Sequence, residues 1–249
     1  MISPRVVLID DRFFLYYCTV TYDTFTPGTQ PRWIKNIGLA VSPDGVNFEK
    51  VGPEPVVMIP EGHSAGVPNL ILHDGRWHML FARGPSDRRE GVSVFLTVSD
   101  DPCRFDREAE KVFGPEDPEA WDGNSIVTPA FCYDPESEWY YMLYGGCSRH
   151  WDYPAFYGLG RSRDLRHWER HPANPCIERG GPDDWDGGAI WITEFTKIDS
   201  RYYAWYEGRS AGQDRSVEYS PGATKQIGLL TLDGDPWEIA VSESDARTR

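Results

Sequence analysis

One pattern recurs four times along the chain and limits what it can fold into. A short apolar run (PRVVLID from Pro4, PNLILHD from Pro68, PAFCYD from Pro129, TEFTKID from Thr193) leads through a turn into an aromatic-bearing run at 12–17, 76–81, 140–144 and 201–206. Two short runs joined by turn residues such as Asp74-Gly75 or Asp134-Pro135 predict a β-hairpin. A second landmark follows each hairpin: Ser42, Ser99, Ser162 and Thr231 precede Phe48, Phe105, Trp168 and Trp237 by six residues in every case. The residues between are turn formers, Pro43-Asp44-Gly45 for example, so a second hairpin with an aromatic anchor is expected. The apolar segments are too short and too often interrupted for helices.

Each unit is then four strands over roughly 60 residues, the size of a propeller blade. The expected fold is an all-β propeller of four-stranded antiparallel blades, at about 1–55, 56–115, 116–178 and 179–241, in one domain with an eight-residue tail, SESDARTR at 242–249. Composition agrees: aromatics make up 14% of the chain and 24 glycines and 20 prolines punctuate it, as strands and turns require.

The net charge of −14 repels phosphate backbones and anionic lipid, so nucleic acid and membrane are excluded as expected partners, while neutral sugars are not. The five cysteines, Cys18, Cys103, Cys132, Cys147 and Cys176, are odd in number and show no CxxC spacing. They read as buried thiols in a reducing compartment rather than as a disulfide framework or zinc knuckle. The opening MISPRVVLIDDRFF lacks a signal-peptide core and no run nears 18 apolar residues, so a cytoplasmic location is expected.

The four-unit register also aligns columns. Trp121-Asp122-Gly123 and Trp185-Asp186-Gly187 are the same tripeptide 64 residues apart, and Glu61 holds the equivalent acid position in the second unit. In the first unit that position falls before Met1, so either the start lies upstream or a fifth blade has been lost, a genuine four-bladed ring being the alternative. An open ring would expose sheet faces, which self-association into a homo-oligomer would cover. The column after the proline reads Arg5, Asn69, Ala130, Glu194, a polar set among apolar neighbours. Glu207 stands where the other units carry Cys18, Ala82 and Gly145.

The segments NIGLAVSPDGVNFEKVG and GLGRSRDLRHWERHPANP, with WYYMLYGG and YYAWYEGR after the Trp-Asp-Gly lead-ins, resemble the five-bladed propellers of the glycoside hydrolases, the group including families 32, 43, 62, 68 and 130. The Asp box of sialidase-type propellers differs, spacing its Ser and Trp by seven. Five blades at this period need roughly 310 residues, whereas 249 hold four. The resemblance implies hydrolysis of a glycosidic bond by paired carboxylates in an axial funnel. The family pattern has a proton-donor Glu on a first strand, the role expected of Glu194, while the acids of the aligned lead-in column, Asp122 or Asp186, are expected as base or nucleophile. Glu61, His63, Asn69, Arg83, Glu207 and Arg209 are expected to bind substrate, and Trp191 and Trp151 to stack on a sugar face. Family 43 places an aspartate directly before a first-strand proline; here those positions are Ser3, Val67 and Thr128.

Two further readings stay open. One is a sugar-binding propeller without turnover. The other is a phosphorylase like family 130, holding phosphate on Arg5, Arg83, Arg149 or Arg209. No cofactor is required by any of the three, and an ion on the propeller axis is left open. The Trp-Asp-Gly repeats also admit a structural account, in which Trp packs, Asp caps a turn and Gly turns the chain.

Overall fold

The structure is a computed structural model describing residues 2–22, 33–86, 91–148, 154–212 and 222–239; Arg149, Trp151 and the 242–249 tail lie outside them. The described chain is all-β apart from one helical turn, and it divides into two compact units, residues 1–114 and 115–249. Each unit holds two blade-type sheets in which successive strands pair antiparallel. Among the described residues there are four such sheets and no fifth.

In the first unit, one sheet orders β1 (Ile2–Ile9), β2 (Arg12–Tyr22), β3 (Trp33–Ser42) and β4 (Glu49–Lys50). The second orders β5 (His63–His73), β6 (Arg76–Pro85), β7 (Ser93–Ser99) and β8 (Glu110–Phe113). Alternation along the strands turns Phe14, Tyr16, Ile37 and Leu39 of the first sheet into one core with Leu70, Met79 and Phe81 of the second. Fully burying a side chain such as Met79 or Phe81 is worth about 1.5–3 kcal/mol against leaving it in water. Phe105, the anchor six residues after Ser99, is fully buried in this core and its N–H donates to the Val56 carbonyl at 2.8 Å.

The spacing of six has a local cause. Ser42 Oγ accepts the N–H groups of Asp44 and Gly45, and Asp44 Oδ1 accepts those of Val46 and Asn47. Ser162 and Asp164 repeat these bonds with Leu165, Arg166 and His167. In these two turns the serine and aspartate together satisfy the local donors, which holds the aromatic at a fixed distance from the serine. The N–H donors, Asn47 first, hold the Asp44 carboxyl well below the usual carboxylate range.

In the second unit, β9 (Ser125–Asp134), β10 (Trp139–Cys147) and β11 (Phe156–Ser162) form a sheet, and two short strands, β12 (Glu169–Arg170) and β13 (Ile177–Glu178), both pair with β11. The last sheet is β14 (Ala189–Ile198), β15 (Arg201–Arg209) and β16 (Lys225–Asp233), followed by α1 (Pro236–Ile239). Tyr141, Leu143, Tyr157, Ile190, Ile192, Phe195 and Tyr202 build the core between these sheets.

A buried ion pair ties them: Lys197 Nζ reaches Asp134 Oδ1 at 2.7 Å, and the Tyr202 hydroxyl donates to Asp134 Oδ2 at 2.7 Å. Burial works to raise the Asp134 pKa, but Lys197, Tyr202, Ser137 and the Glu136 N–H together outweigh it and hold the carboxyl well below its usual range. All five thiols are free; Cys18, Cys132 and Cys147 are buried. Burial pushes Cys18 up to about 11 and Cys132 to about 12. No helix among the described residues is long and apolar enough to cross a membrane.

Candidate functional site

All four first strands break register at the same level. The shifts fall between Ile2 and Arg5 on β1, Gly66 and Asn69 on β5, Val127 and Ala130 on β9, and Ile192 and Glu194 on β14. In three of them the residue before the proline takes a positive φ: Ser3 at 47°, Val67 at 56° and Thr128 at 41°. A β-branched residue such as Val67 or Thr128 is strained there. Bulges of this kind re-aim side chains and recur beside active sites. These are the three positions that carry no acid. In β5 the freed carbonyl is locally satisfied: Asn69 Nδ2 donates to the Val67 carbonyl at 2.9 Å, which accounts for one buried polar member of the column. In the second unit the Tyr157 hydroxyl pairs with Thr128 Oγ1 and accepts the Ile192 N–H at 2.8 Å, so one side chain joins the two bulges.

The β14 bulge has no proline. Thr193 is its extra residue, held by a 3.1 Å bond from its hydroxyl to the Trp205 carbonyl. Beyond it, Glu194 pairs with Trp205, and Trp191 pairs with Glu207 on the near side. Directly paired residues share a face, so Trp191, Glu194, Trp205 and Glu207 lie together on one side of this sheet. Ile227 and Leu229 continue the same two rows onto β16 and are exposed. Glu194 and Glu207 are diagonal neighbours, a relation that separates Cα positions by about 7–8 Å in a regular ladder. Lys225 Nζ pairs with Glu207 Oε1 at 2.5 Å and lies 5.5 Å from the centre of the Trp191 ring. Two carboxylates flanked by indole faces and a cation can hold a sugar ring by stacking and hydroxyl bonds.

The Trp-Asp-Gly tripeptides take a different place. Trp121 stacks on Tyr144 and Trp185 on Tyr206, with ring centres 5.6 and 5.5 Å apart. Each aspartate accepts from the same tyrosine, Asp122 at 3.5 Å and Asp186 at 2.9 Å. A glycine two residues after each tyrosine in the same strand makes room: a Cβ on Gly146 would stand 2.6 Å from Asp122 Cβ, and one on Gly208 would stand 2.7 Å from Asp186 Cβ. Burial raises the Tyr144 and Tyr206 hydroxyls above their ordinary range, so they remain donors. Asp122 is buried and also takes a 2.6 Å bond from Arg170 Nη1, whereas Asp186 is half-buried. Both carboxylates thus point into their own blades. Tyr206 pairs with Ile192, whose neighbours along β14 put it on the core face, opposite to Glu194.

The remaining candidates are dispersed. Glu61 is exposed and its carbonyl accepts from His63 Nδ1 at 3.3 Å. Arg209 is buried at the end of β15, in register with Ala189 and Lys225. Arg83 is buried in the first unit above the Phe95 ring. Lys225, Trp205 and Tyr157 escaped the sequence reading, because only the pairing register brings them to the site. No group of three or more His, Cys, Asp or Glu side chains gathers as a metal set among the described residues.

No protein-family model matches the chain. No curated protein matches it either. Solved structures do match. A glycoside hydrolase superposes with TM-score 0.65 at 18% identity, over 92% of this chain and 72% of its own. An N-acetylgalactosamine deacetylase from F. plautii, solved with blood group B trisaccharide, gives 0.69 at 15% identity, over 92% and 71%. An alpha-L-arabinofuranosidase from Lactobacillus brevis gives 0.61 at 13%, over 90% and 71%. The fold is therefore that of the β-propeller glycoside hydrolases.

Proposed function

We propose that the chain acts on a glycosidic bond as a glycoside hydrolase, with its chemistry on the β14–β15 face. The observation that carries this reading is the placing of Glu194 and Glu207 on one face, diagonal to each other and bracketed by Trp191 and Trp205. Hydrolysis needs one carboxylic acid to protonate the leaving oxygen and one carboxylate across the bond. Glu194 is the proton donor, and Glu207, paired with Lys225, is the ionised partner. Trp191 and Trp205 stack on the sugar. Asp122 and Asp186 have structural roles in this reading, each held within its own blade by a tyrosine hydroxyl.

Titrating the protein against a panel of aryl glycosides and oligosaccharides tests this, with Glu194→Gln and Glu207→Gln alongside. Turnover by the wild type that falls by about 10³-fold or more in Glu194→Gln, with binding retained, is the expected result. Unchanged turnover in Glu194→Gln sinks the assignment. A second reading, a sugar-binding propeller without turnover, is favoured by the non-acidic Ser3, Val67 and Thr128 at the strained bulges. It predicts glycan binding that tolerates both glutamine substitutions.

A further inference from the structure

The second blade breaks the pattern that its neighbours obey. In the other three sheets a tyrosine faces a glycine across the second and third strands: Tyr17 with Gly38, Tyr144 with Gly158, Tyr206 with Gly228. In the second sheet the pair is Phe81 with Phe95. Two sheets then receive the tripeptide's tryptophan against Gly146 or Gly208. The corresponding residue of β6 is Arg83, and the lead-in reads Pro60-Glu61-Gly62, without a tryptophan. So the blade has lost the indole, the hydroxyl and the inward carboxylate together, and a guanidinium occupies their slot.

That guanidinium is poorly served. Arg83 is only 9% exposed, yet its Nε and Nη1 are buried without a hydrogen-bond partner. Its Cζ lies 3.5 Å from the centre of the Phe95 ring, a stacking that fixes the plane of the group. Burial works against its charge and the field of Glu108 works for it. A buried cation left without acceptors is costly, and a stacked guanidinium with unused donors is the arrangement that suits a planar oxyanion.

We propose that the Arg83 slot of the first unit is a carboxylate-binding site, and that it takes the acid group of a uronic-acid sugar or of a small free carboxylate. Phe95 holds the guanidinium in plane, and the ligand's carboxylate accepts from Nε and Nη1, buried donors for which the chain supplies no hydrogen-bond acceptor. The site needs binding alone, so it stands apart from whatever Glu194 does.

Calorimetric titration at one fixed ionic strength, with sodium glucuronate, glucose and sodium acetate as probes, tests it on the full chain. The wild type is expected to bind glucuronate at least about tenfold more tightly than glucose, a step worth ~1.4 kcal/mol. Arg83→Met is expected to remove that preference, while Arg104→Met at an exposed ion pair keeps it. Acetate that competes with glucuronate identifies the carboxylate alone as the ligand; acetate that does not assigns the sugar ring a share. Without ligand, Arg83→Met should melt no lower than the wild type, since methionine replaces a buried cation whose Nε and Nη1 have no hydrogen-bond partner. Equal affinity for glucuronate and glucose overturns the proposal, as does a preference that survives in Arg83→Met. A melting temperature several degrees lower in Arg83→Met also overturns it, by revealing an internal acceptor.

Discussion

Replacing Arg170 by methionine separates a structural aspartate from a chemical one. Arg170 Nη1 lies 2.6 Å from Asp122 Oδ2 and 2.9 Å from the Tyr144 hydroxyl, with the two charged side chains 22% and 9% exposed. Removing one partner of a buried pair costs about 3–5 kcal/mol, and the arginine's partial exposure places this case near the lower figure, ~3 kcal/mol. Its longer contact to exposed Glu116, at 3.5 Å, adds at most a few tenths. Asp122→Asn alone should cost about 1–2 kcal/mol, because Arg170 keeps Glu116 and some water. The double variant should then lie near the larger single loss, a coupling of about 1–2 kcal/mol. Urea unfolding with amide exchange read on β9 and β10 confines the free energy to the second unit. A coupling under ~0.5 kcal/mol, the level of an exposed pair, would refute the structural account of Asp122 and return the residue to the candidate catalytic acids.

Two other outcomes follow from the same packing. Asp134 has a folded pKa held below its unfolded value of about 3.9, so its stabilisation is complete above that pH and is lost as pH falls through the folded pKa. Unfolding free energy measured from pH 6 to pH 2 should decline on the acid side, and Asp134→Asn should flatten that decline; an unchanged slope contradicts it. Gly208→Ala would set a Cβ 2.7 Å from Asp186 Cβ and 2.9 Å from Trp185 Cη2, costing about 1–3 kcal/mol or more by overpacking. Gly52→Ala, with open space around it, should shift the melting temperature far less; equal shifts would deny the close approach.

Much of the architecture was legible because it is written in spacing. The Ser-to-aromatic interval of six fixes Phe105 and Trp168 through bonds local to the turn, and such bonds need no knowledge of the rest of the chain. The Trp-Asp-Gly tripeptide was legible as a repeat, but the tyrosines that donate to its aspartates lie 20 or more residues away. The site face was not legible. Whether Glu194 sits beside Trp205 or behind it depends on a bulge at Thr193, and one residue of register reverses every side chain beyond it. Lys225 and Trp205 carry no sequence mark of their own and reach Glu207 and Glu194 through pairing. The three acids at the equivalent lead-in position prove unlike one another: Glu61 is exposed, Asp122 buried, Asp186 half-buried.

The buried thiols give the molecule a timekeeping property. With a pKa of about 11, Cys18 has a thiolate fraction near ~10⁻⁴ at pH 7, against a few per cent for an unperturbed thiol. Cys132 is lower still. Alkylation of Cys18 and Cys132 therefore waits for the backbone around each of these two sulfurs to part. Cys18 registers such events in the first unit and Cys132 in the second, so each unit keeps its own count of how often it comes open.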